Sequence, residues 1–452
     1  MSIRSITPLD GRYTTQITGL ADSLSEWALI KHRVMVEVEW LIEMAELAHI
    51  SDMRNLSVDE IELLRGLVAD FDDDAALRVT EIERTTNHDV KAVEYYIQEK
   101  LQGTSLEDVT QWIHFCCTSE DINNLSYALM LKEGIATEWI PSAESLVEGV
   151  VSLARDHADT ALLARTHGQP ATPTTLGKEM AVFVHRWRRQ LKQIENAEFL
   201  GMFNGAVGAH NAHAVAYPDA PWNDISKAFV ERLGLIHNPL TTQIEPHDYM
   251  AEVFHALIRF NTITLDFDRD MWAYISLGVF KQKTVAGEVG SSTMPHKVNP
   301  INFENSEANL GISNSLFEHL TTKLPISRLQ RDLSDSSALR NVGPAVGHSL
   351  VGMKSAIRGL SRVEVDKALL SRELDEAWEV LTEAVQTVMR KHGFGDAYEQ
   401  LKSFSRGKAI DQEGMRNFII SLDLPEADKA RLAEMTPSDY TGIAGELVGK
   451  FL

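Results

Sequence analysis

The distribution of proline limits this fold more than any other feature of the chain. Fourteen prolines occur in 452 residues, yet none between Pro8 and Pro141 and none between Pro344 and Pro425. In the middle of the chain, residues 174–217, 247–294 (Pro295 follows) and 301–324 are free of it as well. A proline inside a helix costs about 3 kcal/mol, through a lost hydrogen bond and a clash with the preceding turn. Windows of this length therefore permit long helices.

Hydrophobic spacing fills those windows with helix rather than strand. Ile30, Val34, Val38, Leu41 and Ala45 recur at three- and four-residue steps. The same rhythm runs through Val253, Leu257, Phe260, Ile263, Thr264, Phe267, Met271 and Ile275, the signature of one buried helical face. Read as a single helix, residues 247–283 span about 55 Å at 1.5 Å per residue. Strand signals are scarce, because no alternating β-branched run is bounded by hairpin turns. The expected fold is all-α, with a long central helical bundle. Three helical domains are expected, with boundaries at 1–111, 112–364 and 365–452; the last carries turn signals at Gly393, Gly395, Pro425 and Pro437. The acidic run from Asp70 to Asp74 reads as a solvated loop.

Charge and cysteine content exclude several function classes. Lys and Arg number 43 against 65 Asp and Glu, a formal net charge of −22, which lacks the basic footprint of a nucleic-acid binder. A small anion could still bind where arginines and backbone amides reverse the sign locally. No apolar stretch reaches membrane-spanning length, and the N-terminal residues lack the apolar core of a signal peptide. Cys116 and Cys117 are the only cysteines, so no disulfide framework exists and a reducing cytoplasm is expected.

Five segments interrupt the helical pattern with clustered polar and turn-forming residues. Asp10-Gly11-Arg12-Tyr13 reads as a turn whose arginine could simply face solvent. Asn87, His88 and Asp89 stand where a helix would begin, suited either to capping it or to holding an anion at its positive end. Thr118 and Ser119, followed by Glu120 and Asp121, resemble a capping box whose hydroxyls could also bind carboxylate or phosphate. His167 lies between Thr166 and Gly168 with two prolines following, in a constrained loop where a structural and a catalytic role are both open.

The densest segment runs from Gly287 to Pro300 and holds Ser291, Ser292, His296, Lys297 and Asn299 between glycines and prolines. Such a loop connects helices poorly and suits an anion well. Downstream, Arg328, Arg331 and Arg340 accompany Ser336 and Ser337; on a helix their spacing approximates one face fit for phosphate or carboxylate. Competing signatures fail. Gly287 and Gly290 lack the strand, turn and Gly-Lys-Ser/Thr ending of a nucleotide-hydrolysing loop, and His210 with His213 lacks partner metal ligands.

Residues 290–300 carry the complete form Gly-Ser-Ser-x-Met-Pro-x-Lys-x-Asn-Pro. On this match the chain resembles the fumarase/aspartase superfamily. His296, the 166–173 and 84–89 segments, and residues 242–249 are similar to the branch that cleaves a succinyl C–N bond in purine biosynthesis. Val298 departs from the arginine of many relatives, but this branch often has valine there. The resemblance implies release of fumarate from two nucleotides, adenylosuccinate and succinylaminoimidazole carboxamide ribotide, with no metal or organic cofactor. It implies Ser291 as the base on a mobile loop, activated by Lys297 and loop amides, since an unperturbed serine hydroxyl is far too weak an acid. It implies His167 as the acid, with His88 orienting it or binding phosphate, and Lys297 and Asn299 facing the carboxylate that gains charge. Substrate contacts carried over by position are Arg12, Tyr13, Asn87, His88, Asp89, Thr118, Ser119, Gln243, Lys297, Asn299, Arg331, Ser336, Ser337 and Arg340. The resemblance further implies homotetramers whose sites are shared among subunits. The rival readings are another lyase or a cycloisomerase with the same loop, and a non-catalytic protein on the same scaffold.

Overall fold

The structure is a computed structural model that describes residues 3–284, 287, 293–294, 296–406 and 410–452. Those residues are mainly helical, with four small pairs of strands of two or three residues each. The all-α expectation holds.

The Glu26–Glu46 helix shows how the sequence makes such elements. Ser25 caps it by accepting the Ala28 N–H at 3.1 Å. Its predicted stripe of Ile30, Val34, Val38, Leu41 and Ala45 is buried throughout. The same helix also buries Arg33 and Glu37, one turn apart. The run from Asp70 to Asp74 is more than a solvated loop, because the Asp72 carboxylate caps the Asp73–Thr86 helix through the Ala75 N–H at 2.9 Å.

Proline shapes the central helices where it does occur. The Ser119–Gly134 helix passes through a π turn, Ile135–Trp139, into the Ile140–Asp156 helix. Pro141 brings no N–H to the ladder, and the wider turn just before it accommodates the missing donor and the ring. The helix expected over residues 247–283 is shorter, Asp248–Ser276 at 29 residues, or about 43 Å. Gly278 ends it at φ +83°, with the Gly278 N–H on the Ile275 carbonyl at 3.0 Å and the Val279 N–H on that of Tyr274 at 2.9 Å. That pair of bonds is a Schellman stop. The apolar residues beyond it, Val279 and Phe280, are buried outside the helix: Phe280 opens the Phe280–Gln282 strand, which pairs antiparallel with Val363–Val365.

The chain gathers into two compact units. The first comprises residues 1–143, 190–262 and 308–352; the second comprises 144–189, 263–307 and 353–452. Every boundary falls inside a helix: Ile140–Asp156, Leu176–Glu195, Asp248–Ser276, Ile301–Lys323 or Val342–Ser361. The three-part division expected from the sequence follows chain order, whereas compactness interleaves the segments. The first unit centres on Trp40, Phe203 and Phe229, with ring centroids 4.4 to 5.1 Å apart. In the second, Phe183, Trp187 and Phe303 pack edge-on or tilted around Phe267, and a separate cluster near the C-terminus includes Leu381, Val385, Met389, Met415 and Ile419.

Candidate active site

In the second unit, His167 stands at the tip of a hairpin. Ala161–Leu162 pairs with Thr174–Thr175, and Arg165–Thr166 pairs with Gln169–Pro170, both antiparallel. Thr166 lies opposite Gln169, which leaves His167 and Gly168 as a two-residue turn. Their φ angles are 52° and 74°, as a type I′ turn requires. His167 is exposed there. The strands are braced below the tip, where Arg165 meets Glu373 at 2.7 Å and Thr172 donates to Glu383. A cavity of about 480 Å³ lies beside the hairpin, bounded by Arg165, Thr166, Glu179, Asp270 and Tyr274 among others. Burial, with Asp266 and Glu179 nearby, pushes the Asp270 carboxyl above its ordinary range.

The signature segment belongs to the same unit, and Ser291 lies outside the described residues. Lys297 is exposed, its N–H on the Met294 carbonyl at 3.0 Å, and Asn299 is half-buried. Pro300 then opens the Ile301–Lys323 helix by accepting from the Phe303 and Glu304 amides at 3.1 and 3.3 Å.

The first unit brings together most of the remaining candidates. Asn87, left-handed at φ 53°, ends the Asp73–Thr86 helix, and His88 caps the Asp89–Leu101 helix by accepting the Lys91 N–H on Nδ1 at 3.2 Å. A neutral His88 ring therefore carries its proton on Nε2. Asp89 faces Arg33 at 2.6 Å and Arg340 at 3.8 Å. Burial alone would raise its carboxyl, but Arg33, the Val90 amide and Arg340 hold it below the ordinary carboxylate value. Arg340 donates to the Ser336 carbonyl and hydroxyl at 3.0 Å each and approaches Glu26 at 3.3 Å. Ser337, one residue on, is exposed. Arg12 is exposed and Tyr13 half-buried; the neighbouring Asp10 lines, with Glu26, Tyr127 and Arg340, a cavity of about 310 Å³.

Gln243 and Arg331 form a second group. The Gln243 amide donates to the Ala206 carbonyl at 2.8 Å and accepts from Arg331 at 3.4 Å, while Arg331 pairs with Glu120 at 2.7 Å. Thr118 and Ser119 begin the helix that carries Glu120, and the expected cap is present: Asp121 accepts the Thr118 N–H at 2.8 Å. Asp121 also receives the Asn204 and Gly205 amides at 2.8 and 3.1 Å. Its burial is complete and pushes the carboxyl up to about 6 against the pull of those amides.

Two expectations need correction. Arg328, Arg331 and Arg340 do not share a helical face: residues 326–333 form a loop, and the following helix is only Ser334–Leu339. Asp332 organises that loop by accepting the Arg328 and Ser334 amides at 3.0 and 2.8 Å, which competes with helix, and Arg328 is left exposed beside Asp332. The arginines are also not simply a positive lining, since Arg331 and Arg340 each face a carboxylate. Sequence reasoning missed those partners, Glu120 and Glu26, and the buried Arg33 and Asn123 between them. The available signal was a charged pair, Arg33 and Glu37, next to an apolar helical stripe.

The model of the family described as Lyase matches residues 11–312, and that of Adenylosuccinate lyase C-terminal matches residues 327–441. The chain is 53% identical to adenylosuccinate lyase of Escherichia coli (strain K12), over 99% of this chain and 98% of that protein. It is 52% identical to the adenylosuccinate lyase of Vibrio cholerae, over 99% of each. In fold it is similar to a fumarate lyase from Mesorhizobium sp. BNC1, with a TM-score of 0.76 and 19% identity over 97% of both chains. The 3-carboxy-cis,cis-muconate lactonizing enzyme from Pseudomonas putida has a TM-score of 0.71 at 21% identity, over 93% of both chains.

Proposed function

Since the chain belongs to the lyase family, among its adenylosuccinate lyases, we propose that it releases fumarate from adenylosuccinate to give AMP. By the same β-elimination it releases fumarate from succinylaminoimidazole carboxamide ribotide to give the carboxamide ribotide. The observation that carries this reading is the full-length likeness to adenylosuccinate lyases.

The residues divide the chemistry as follows. Ser291 removes the proton from the carbon beside a carboxylate, and the electron pair is taken up in an aci-carboxylate faced by Lys297 and Asn299. The C–N bond then breaks, and His167 protonates the departing nitrogen. The hairpin supports that role because it holds an imidazole at an exposed, conformationally fixed tip. His88, as a cap with Nδ1 already engaged, offers only Nε2 to a neighbour or a phosphate. The substrate carries a phosphate and two carboxylates, and Arg12, Arg331 and Arg340 are the cations that receive them. Tyr13, Asn87, Thr118, Ser119, Gln243, Ser336 and Ser337 supply neutral hydrogen bonds, while Asp89 fixes arginines rather than substrate. The working form is a homotetramer whose sites draw residues from several subunits. A reducing cytoplasm suits the two free thiols, Cys116 and Cys117.

Absorbance at the adenylosuccinate band, with fumarate assayed in parallel, tests the reading. Turnover of adenylosuccinate with none of argininosuccinate is expected; the reverse would overturn it.

A further inference from the structure

Arg33 is the most deeply buried cation among the described residues, at 2% exposure. Its Nε donates to Asn123 Oδ1 at 2.8 Å and its Nη2 to Asp89 Oδ2 at 2.6 Å. Hydrogen bonds run on from Asn123, and a longer ion-pair contact runs on from Asp89. Asn123 Nδ2 donates to Glu120 Oε1 at 2.7 Å, that oxygen meets Arg331 Nη2 at 2.7 Å, and Arg331 Nη1 reaches Gln243 at 3.4 Å. In the other direction, Asp89 Oδ2 lies 3.8 Å from Arg340 Nη2, and Arg340 holds Ser336.

We propose that Arg33 is a positioning residue that keeps Arg331 and Arg340 in one register, so that two anionic groups of a single substrate are gripped together. The inference rests on the functional reading above, which gives those two arginines anions to bind. Three features support it. Arg33 can only donate and an ionised Glu120 can only accept, so the Asn123 amide between them has one usable orientation, with oxygen toward Arg33 and nitrogen toward Glu120. The guanidinium fork serves a carboxylate and an amide oxygen in fixed directions at once, which a lysine ammonium on its flexible stem does not. Burial raises the Glu120 carboxyl, and Arg331 and Asn123, the two groups that contact it along the relay, oppose that rise. A purely architectural Arg33 would only hold the Glu26–Glu46 helix to the start of the Asp89–Leu101 helix. It would have no reason to influence Arg331.

The test uses the full-length enzyme with Arg33→Lys and Asn123→Leu, following fumarate release and thermal midpoint together. Asn123→Leu keeps the same branched four-atom side-chain skeleton without its hydrogen bonds, and keeps the test available if Arg33→Lys does not fold. Both variants should raise KM by about tenfold or more, with kcat changed by less than about threefold. Arg331→Lys and Arg340→Lys should be non-multiplicative in kcat/KM by about fivefold in the parent, and multiplicative within about twofold when Asn123→Leu is present. A lowered midpoint with KM unchanged in both variants, or a coupling that survives Asn123→Leu, would overturn the relay alone. A parent enzyme unable to cleave adenylosuccinate would overturn the functional reading and this inference with it.

Discussion

At the scale of single residues, the left-handed backbone of His167 decides how its chemistry should be probed. Alanine tolerates φ near +50° poorly, whereas asparagine adopts it readily, so His167→Asn removes the imidazole while keeping the turn. That variant should fold with an unchanged midpoint and lose about 10²- to 10⁴-fold in kcat, the range for a missing general acid. Equal activity in the variant would remove His167 from the mechanism. His213 offers a stability test of a different kind. It is fully buried against Phe203 and Trp222, and burial, then His210, lowers it from 6.5 to about 4. A histidine depressed on folding contributes stability that is fully present above its ordinary value and is lost as pH falls through the folded one. Between about pH 8 and pH 5 this group should cost about 2 kcal/mol. In His213→Phe, the fall in thermal midpoint over that interval should be visibly smaller than in the parent; equal slopes would assign the acid sensitivity elsewhere.

At the scale of elements, Gly278 is the clearest single determinant of length. Its φ of +83° excludes ordinary side chains, and an added Cβ would come within 3.3 Å of Leu369 Cδ2. Gly278→Ala should therefore lower stability by about 1 kcal/mol or more, read as a lower midpoint with helix content nearly unchanged. Gain of helical signal at parental stability would mean that the stop is set elsewhere. The same helix shows what was legible in the sequence. Proline gaps and apolar spacing located it and its buried face, because both depend on neighbours along the chain. Its end was missed because Val279 and Phe280 continue the apolar rhythm while being buried at the start of a strand segment, Phe280–Gln282, whose partner lies some eighty residues later. The candidate site divides in the same way. Motif residues such as His167 and Lys297 are recognisable locally, whereas Arg33 finds its partners 56 and 90 residues away, and its place beside an apolar stripe hints at burial without naming them.

At the scale of the whole molecule, shared active sites make a countable prediction. If His167 and Ser291 of one site come from different subunits, mixing His167→Asn with Ser291→Ala at equal amounts leaves about one site in four with both residues intact. Activity should return after subunit exchange, and its absence once exchange is verified would confine each site to one chain. The interleaved units carry a consequence for how the protein is made. The first unit needs residues 308–352 and the second needs residues up to 452, so neither is complete when the first 300 residues have left the ribosome. At about 5–20 residues per second, the apolar stripe of the Glu26–Glu46 helix waits tens of seconds for its last partners. Nascent chains arrested before residue 352 should thus be bound by chaperones and degraded rather than persist as a folded N-terminal domain.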